Sequence, residues 1–260
     1  MMIFNCSAAA AEHLYGKYKK GHDEGFFEPA SPVQQTIAER QEALSSQGVI
    51  QWVVHAVKVG RSTCLIAMEF NTRWAHVIHQ VRKGDVNGFV ERLNGRLING
   101  VEWLGTDFSL LTTEQMEVAI ERYFTLHREL RFYQQTDRSA ITHINQVCAT
   151  YKNVYHDIGT FPADDEIALE FDLRLNRDWR CRKGEPFDLR VDEKMLVHWM
   201  VQYAGKTQHD AEQSVAIIRE AERAMSMNRM DFEIAEQLLS DARGRGSNIL
   251  DMAEFRKTKK

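Results

Sequence analysis

The sequence predicts an α+β fold: a small antiparallel sheet of three or four strands, packed by several helices and followed by a C-terminal helical hairpin. Three observations carry this expectation. The stretch 49–80, VIQWVVHAVKVGRSTCLIAMEFNTRWAHVIHQ, is the one long β-rich passage. The segments around it place apolar residues at helical spacing. Beyond Gly205, two further helical stripes are joined by a short connection at Asn228–Asp231.

Within the β passage, Trp52, Val54 and Ala56 share one face and Val53, His55, Val57 and Val59 the other, because side chains alternate along a strand. Both faces are largely apolar, which suits a strand covered on both sides. A hairpin around Val59–Ser62 leads into a second strand over Ser62–Phe70. Asn71-Thr72-Arg73 forms the next turn and Trp74–His79 the third strand. A three-strand meander needs helices against it. Met2–Cys6 reads as a short strand available as a fourth member, with Ser7 capping a helix over Ala8–Tyr15.

Residues 17–32, rich in Gly, Pro and charge, read as a loop, and Ser31–Ser45 as a weakly amphipathic helix. Asp85 can cap a helix carrying Val86, Phe89, Val90, Leu93 and Leu97 on one stripe. Thr112 with Gln115 fits a capping box for a helix whose stripe extends from Met116 to Leu130, with His127 as a packed core histidine. Asp137 starts another helix. Over 166–175 a strand-like alternation is built from helix-favouring residues, and the Asp164-Asp165 start inclines the reading to a helix. A helix over Asp192–Tyr203 closes an expected first domain at 1–204. A hairpin and tail then occupy 205–260.

Composition narrows the function classes. The 260 residues are 43% hydrophobic and 27% charged with a net charge of −4, which is ordinary for a folded protein and offers no global basic field for nucleic acid. No window approaches the ~18 apolar residues of a membrane span. Cys6, Cys64, Cys148 and Cys181 form no C-x-x-C pair, so buried or bystander thiols in a reducing cytoplasm are expected. No Walker loop, H-E-x-x-H, dinucleotide fingerprint or G-x-S-x-G occurs, so no cofactor is implied. His76 and His79, three apart on a strand, face opposite sides and do not make a metal pair.

Two local patterns are candidates for chemistry. Asp137 as N-cap places Arg138 and Ser139 in a first turn, where free N–H groups and the helix dipole attract an anion; the alternative is a plain cap with an exposed arginine. The run RLNRDWRCRK sets Arg174, Arg177, Arg180, Arg182 and Lys183 around Trp179. That is either a nucleic-acid contact, with phosphates on the cations and a base on the indole, or a solvated loop anchored by the tryptophan.

IFNCS at the N-terminus, HAVKVGRSTCLIAMEFNTRWAHVI, DRSAITHINQV and the LRLN before the basic turn together resemble a family of uncharacterised bacterial proteins. That family is a domain of unknown function sometimes found near plasmid or mobile-element genes, and the resemblance covers about residues 2–200. It implies a compact α+β domain and brings no established activity. Its recurrent polar positions map onto Asn71, Thr72, Arg138, Ser139, Asn145 and Asn176. Asp178-Trp179 stands where members carry a proline. Tertiary contact could unite His55, Asn71, Arg138, Ser139 and Asn145 into a phosphate or carboxylate site. The reading ranked first is an interaction module, linked to mobile elements or defence, that partners a protein or dimerises through the C-terminal hairpin. An enzyme or ligand-binding protein for an anionic substrate, or nucleic-acid binding through 174–183, is the alternative.

Overall fold

A computed structural model describes residues 1–16, 36–44, 48–162, 164–182, 184–185, 189–216 and 219. The chain divides into two units, Met1–Glu212 and Gln213–Lys260. The loop expected over 17–32 lies outside the described residues, and so does the region expected as hairpin and tail over 205–260 apart from residues 205–216 and 219.

The first unit is α+β, but its sheet is mixed and has five strands, in the order Ala75–Ile78, Ser62–Glu69, Ile50–Val59, Met2–Cys6, Leu130–Tyr133. The meander supplies β2 (Ile50–Val59), β3 (Ser62–Glu69) and β4 (Ala75–Ile78), antiparallel in succession. β1 (Met2–Cys6) joins as expected, lying parallel to β2 with Phe4 beside Trp52. Its other side holds β5 (Leu130–Tyr133), also parallel, with Phe4 beside Phe132. The expected small antiparallel sheet is therefore corrected in both strand number and direction. The physical reason lies at Leu130, which the helical stripe appeared to include: the helix stops at Leu126, and Phe132 and Tyr133 favour a strand.

Helices cover both faces. α1 (Ala8–Tyr15) is capped by Ser7, whose hydroxyl accepts from Ala10 N–H, and α3 (Val86–Asp107) by Asp85, which accepts from Gly88 N–H. They meet the face bearing Phe4, Trp52 and Phe132: Phe89 lies edge-on to Phe4 at 5.7 Å, and Tyr15 edge-on to Phe132 at 5.2 Å. α4 (Thr113–Leu126) carries the Thr112–Gln115 capping box, and α7 (Val191–Gln202) brings Trp199 to within 5.3 Å of Tyr123. The opposite face bears Val53, Ile66, Met68 and Val77. It packs against Ala140, Ile144, Val147 and Tyr151 of α5 (Arg138–Ile158) and Ile37 of α2 (Ile37–Ala43). Each buried Val, Ile or Met side chain there contributes roughly 1.5–3 kcal/mol.

α6 (Asp165–Asn176), the segment whose signals conflicted, is a helix capped by Asp164. It lies along the outer edge of β4, against α3, where Leu169 and Leu173 approach Gly100. Its polar residues Asp172 and Asn176 are wholly buried.

Candidate anion-binding site

Two polar clusters are buried at the β4 side of the sheet, and each holds an arginine with two buried nitrogens that make no hydrogen bond: Arg96 Nε and Nη2 in the first, where Nη2 stands 3.5 Å from the Asp165 carboxylate, and Arg73 Nε and Nη1 in the second. The first seals the β4 edge. Asp172 accepts from Val77 N–H through Oδ1 (3.1 Å), and through Oδ2 from Arg96 (3.1 Å) and from His76 Nδ1 (2.8 Å). The indole of Trp74 donates to His76 Nε2 at 2.7 Å, so the imidazole hydrogen sits on Nδ1. Asn176 accepts from Ala75 N–H and donates to Ala75 C=O, and Arg96 donates to Val77 C=O. The backbone donors and acceptors of an edge strand are thus met by side chains, as buried polar groups require. His79 turns elsewhere, stacking on Phe161, so the two histidines make no pair.

The second cluster surrounds the β3–β4 turn. Glu69 is fully buried, and its Oε2 collects the N–H of Asn71 (3.0 Å), the N–H of Thr72 (2.6 Å) and the hydroxyl of Thr72 (2.7 Å). This tight wrap, with Arg73 N–H on Glu69 C=O, drives Arg73 into the left-handed region at φ 66°. Only 1% of Arg73 is exposed. Its Nη2 donates to Ser139 Oγ in the first turn of α5 at 3.2 Å, while Nε and Nη1 are buried with no hydrogen-bond partner. Leaving such donors unpaired costs on the order of 1–3 kcal/mol each. Burial holds the Arg73 guanidinium below its ordinary pKa; Asp137, Glu69 and Glu185 oppose that shift and the like charge of Arg182 adds to it.

Arg182 joins from the segment after α6, donating to Asn71 Oδ1 at 3.0 Å. The guanidinium carbons of Arg73 and Arg182 stand 5.1 and 4.9 Å from the Phe70 ring centre. At the start of α5, Asp137 caps Ala140 N–H with its carboxylate and Ile141 N–H with its carbonyl. The Arg138 and Ser139 amides remain as first-turn donors. His143 follows one turn after Ser139, its Nδ1 buried without a partner.

The expected site residues divide accordingly. Asn71, Thr72 and Ser139 are brought together, the first two as scaffold of the turn. Arg138 is exposed and Arg73 takes the buried place beside Ser139, while Asn145 is also exposed. His55 lies on the α5 face of β2, four residues or about 13 Å along the strand from Gln51, whose carbonyl meets the turn. Its Nδ1 is buried and unpartnered, and burial lowers its pKa. Asn176 belongs to the edge seal.

Of the basic run, Arg174 pairs with Glu170, Arg177 is exposed and Trp179 is 43% exposed. Arg180 is only 2% exposed and donates to the carbonyls of Arg73 and Leu175, so its charge is spent inside the protein. Burial brings its pKa down to about 10. Lys183 lies outside the described residues.

Arg73, Glu69, His143 and the Asp172 cluster were missed. The available signals were the i, i+4 spacings of Ser139 with His143 and Asp172 with Asn176 on helices. Among the described residues no group of three or more His, Cys, Asp or Glu is placed to hold a metal, and no helix is long and apolar enough to cross a membrane.

A family model described as a domain of unknown function, DUF6933, matches residues 28–187. No curated protein and no solved structure matches the chain. The matched segment holds the turn, the start of α5 and Arg182, but begins after β1 and α1 and ends before α7.

Proposed function

This chain belongs to the DUF6933 family, and we propose that it is a binding protein for a small ligand bearing a phosphate or carboxylate group, held where the β3–β4 turn meets the start of α5. The observation that carries this reading is Arg73, a buried guanidinium fixed on Ser139 with two donors unsatisfied. A guanidinium in that state matches the planar, two-oxygen recognition of phosphates and carboxylates. The dipole of a 21-residue helix adds to it. Asp137 Oδ1 is committed to capping and Glu69 Oε2 to its turn amides, and Glu69 Oε1, itself buried without a hydrogen-bond partner, makes no bond to Arg73. Arg182, beside Phe70, adds a second cation at the rim.

The test is calorimetric titration with inorganic phosphate and with acetate. Arg73→Met should abolish binding while retaining the native circular dichroism spectrum, and Arg138→Ala should leave binding unchanged. Binding by Arg73→Met at wild-type affinity, or no binding by the wild type, overturns the reading.

A further inference from the structure

The four cysteines differ in their surroundings. Cys6 and Cys64 are fully buried, and burial pushes their thiols up to about 12 and about 11. Cys148, partly buried, packs against the apolar core behind α5. Cys181, in the segment between α6 and α7, is also partly buried, but its sulfur touches an amine: Lys194 Nζ stands 3.2 Å away.

Lys194, one turn into α7, is held from three directions. Its ammonium reaches the Arg180 carbonyl at 3.3 Å, Cys181 Sγ at 3.2 Å and Glu185 Oε2 at 3.4 Å. Three hydrogens thus meet three acceptors. Only 13% of the side chain is exposed, so a stem that would otherwise sample many rotamers is pinned with its nitrogen on the sulfur. Glu185 is fixed in turn, its Oε2 also accepting from Arg182 N–H at 3.0 Å. A thiol, a nitrogen nucleophile and a carboxylate are gathered in one cluster that the anion-binding reading leaves unused.

We propose that Cys181 and Lys194 form a covalent crosslink when hydrogen peroxide oxidises the thiol. In the first step Cys181 Sγ attacks one peroxide oxygen. The Sγ–O bond forms, the O–O bond breaks, and the second oxygen leaves as water with the thiol proton, so the protein holds a sulfenic acid. In the second step Lys194 Nζ, having passed a proton to Glu185 Oε2, attacks Sγ. The Sγ–Nζ bond forms and the Sγ–O bond breaks; the hydroxyl leaves as water with the proton from Glu185, and the new linkage releases one further proton to solvent. The sulfur has then lost two electrons and the peroxide has become two waters. Sulfenic acids are trapped in the same way by backbone nitrogens held against them, and a pre-positioned amine makes the capture intramolecular. Added thiol reverses the reaction, returning thiol and amine with a disulfide as by-product.

The link lies between two residues that hold the β3–β4 turn: Arg180, which donates to the Arg73 carbonyl, and Arg182, which donates to Asn71 Oδ1. Crosslinking ties this segment to α7 and fixes both arginines on the turn. The inference is independent of the anion-binding reading, and the failure of either leaves the other standing.

The experiment exposes the reduced full chain to hydrogen peroxide and reads intact mass, alkylation of the remaining thiols and peptide maps. The expected product is about 2 Da lighter, yields a peptide joining Cys181 to Lys194, has lost one of its four alkylatable thiols, and returns to the starting mass with dithiothreitol. Cys181→Ser and Lys194→Arg should each abolish the link. The arginine variant, which keeps the cation, should instead gain about 16 or 32 Da at Cys181 as sulfenic or sulfinic acid. Melting curves check the folds of the variants, and the wild-type peptide map needs no substitution. Loss of two thiols identifies a disulfide and overturns the proposal. Oxidation of wild-type Cys181 without a bond to Lys194 overturns it too, as does a Cys181 that stays unmodified while free cysteine is consumed; the contact is then a structural hydrogen bond. A linked product about 14 Da heavier retains an oxygen between the two atoms and overturns the direct Sγ–Nζ bond.

Discussion

Asn176 holds both backbone polar groups of Ala75, accepting from its N–H and donating to its C=O at 2.8 Å each. A helix side chain thereby does for β4 what a neighbouring strand would do. Asn176→Ala removes these bonds, a third donated to the Asp172 carbonyl and a longer one accepted from Arg180 at 3.4 Å. The unpaired edge that remains should cost about 2–4 kcal/mol in urea unfolding.

Asp172→Ala strikes harder, because it leaves the Arg96 charge, the His76 Nδ1–H and the Val77 N–H without their shared acceptor. A loss of about 3–5 kcal/mol is expected. In the wild type, nitrogen-detected NMR should find the His76 hydrogen on Nδ1, and a hydrogen on Nε2 would contradict the Trp74 bond.

His127 gives a pH dependence. Its Nε2 faces the Tyr203 hydroxyl at 2.8 Å and its Nδ1 the Met1 carbonyl at 3.0 Å, and burial pulls its pKa from 6.5 to about 4. The unfolded chain binds the proton more readily, so stability is complete above about pH 6.5 and falls as pH drops toward about 4, by roughly 3 kcal/mol in all. Urea midpoints across that window should fall for the wild type and flatten in His127→Gln.

Gly60 sits at φ 55° in the β2–β3 turn, where a Cβ would come within 2.5 Å of the Tyr155 hydroxyl. Gly60→Ala should lower stability by about 1–3 kcal/mol, and pairing it with Tyr155→Phe should recover part of that loss. A double-mutant cycle measures the recovery.

The segment 28–187 expressed alone lacks β1, and with it the partner shared by β2 and β5. It should be aggregated or poorly folded, as judged by light scattering and near-ultraviolet circular dichroism.

The meander, the caps at Ser7, Asp85, Thr112 and Asp137, and the helix at Asp165 were legible because each depends on neighbours within a few residues. β5 was hidden because four residues carry too short a period, and because Leu130 happens to continue the spacing of α4. Ser139 was legible as a helix start, whereas its guanidinium partner comes from Arg73, a residue that nothing in its own turn singles out. The basic run illustrates the converse: four arginines look alike in sequence, yet Arg180 is consumed by carbonyls and Arg174 by Glu170, while Arg182 reaches Asn71 beside the turn.

The place of β1 has a kinetic consequence. Its residues precede both partners in the chain, with Met2 pairing with Ile50 on one side and with Leu130 on the other. The middle of the sheet therefore closes only after Tyr133 has emerged, and two parallel registers are formed at high contact order. Until then Ile3, Phe4, Val53 and Phe132, all buried in the finished molecule, lack their cover. Refolding should accordingly be slow, with a yield that falls as concentration rises and recovers when a holding chaperone occupies those strands.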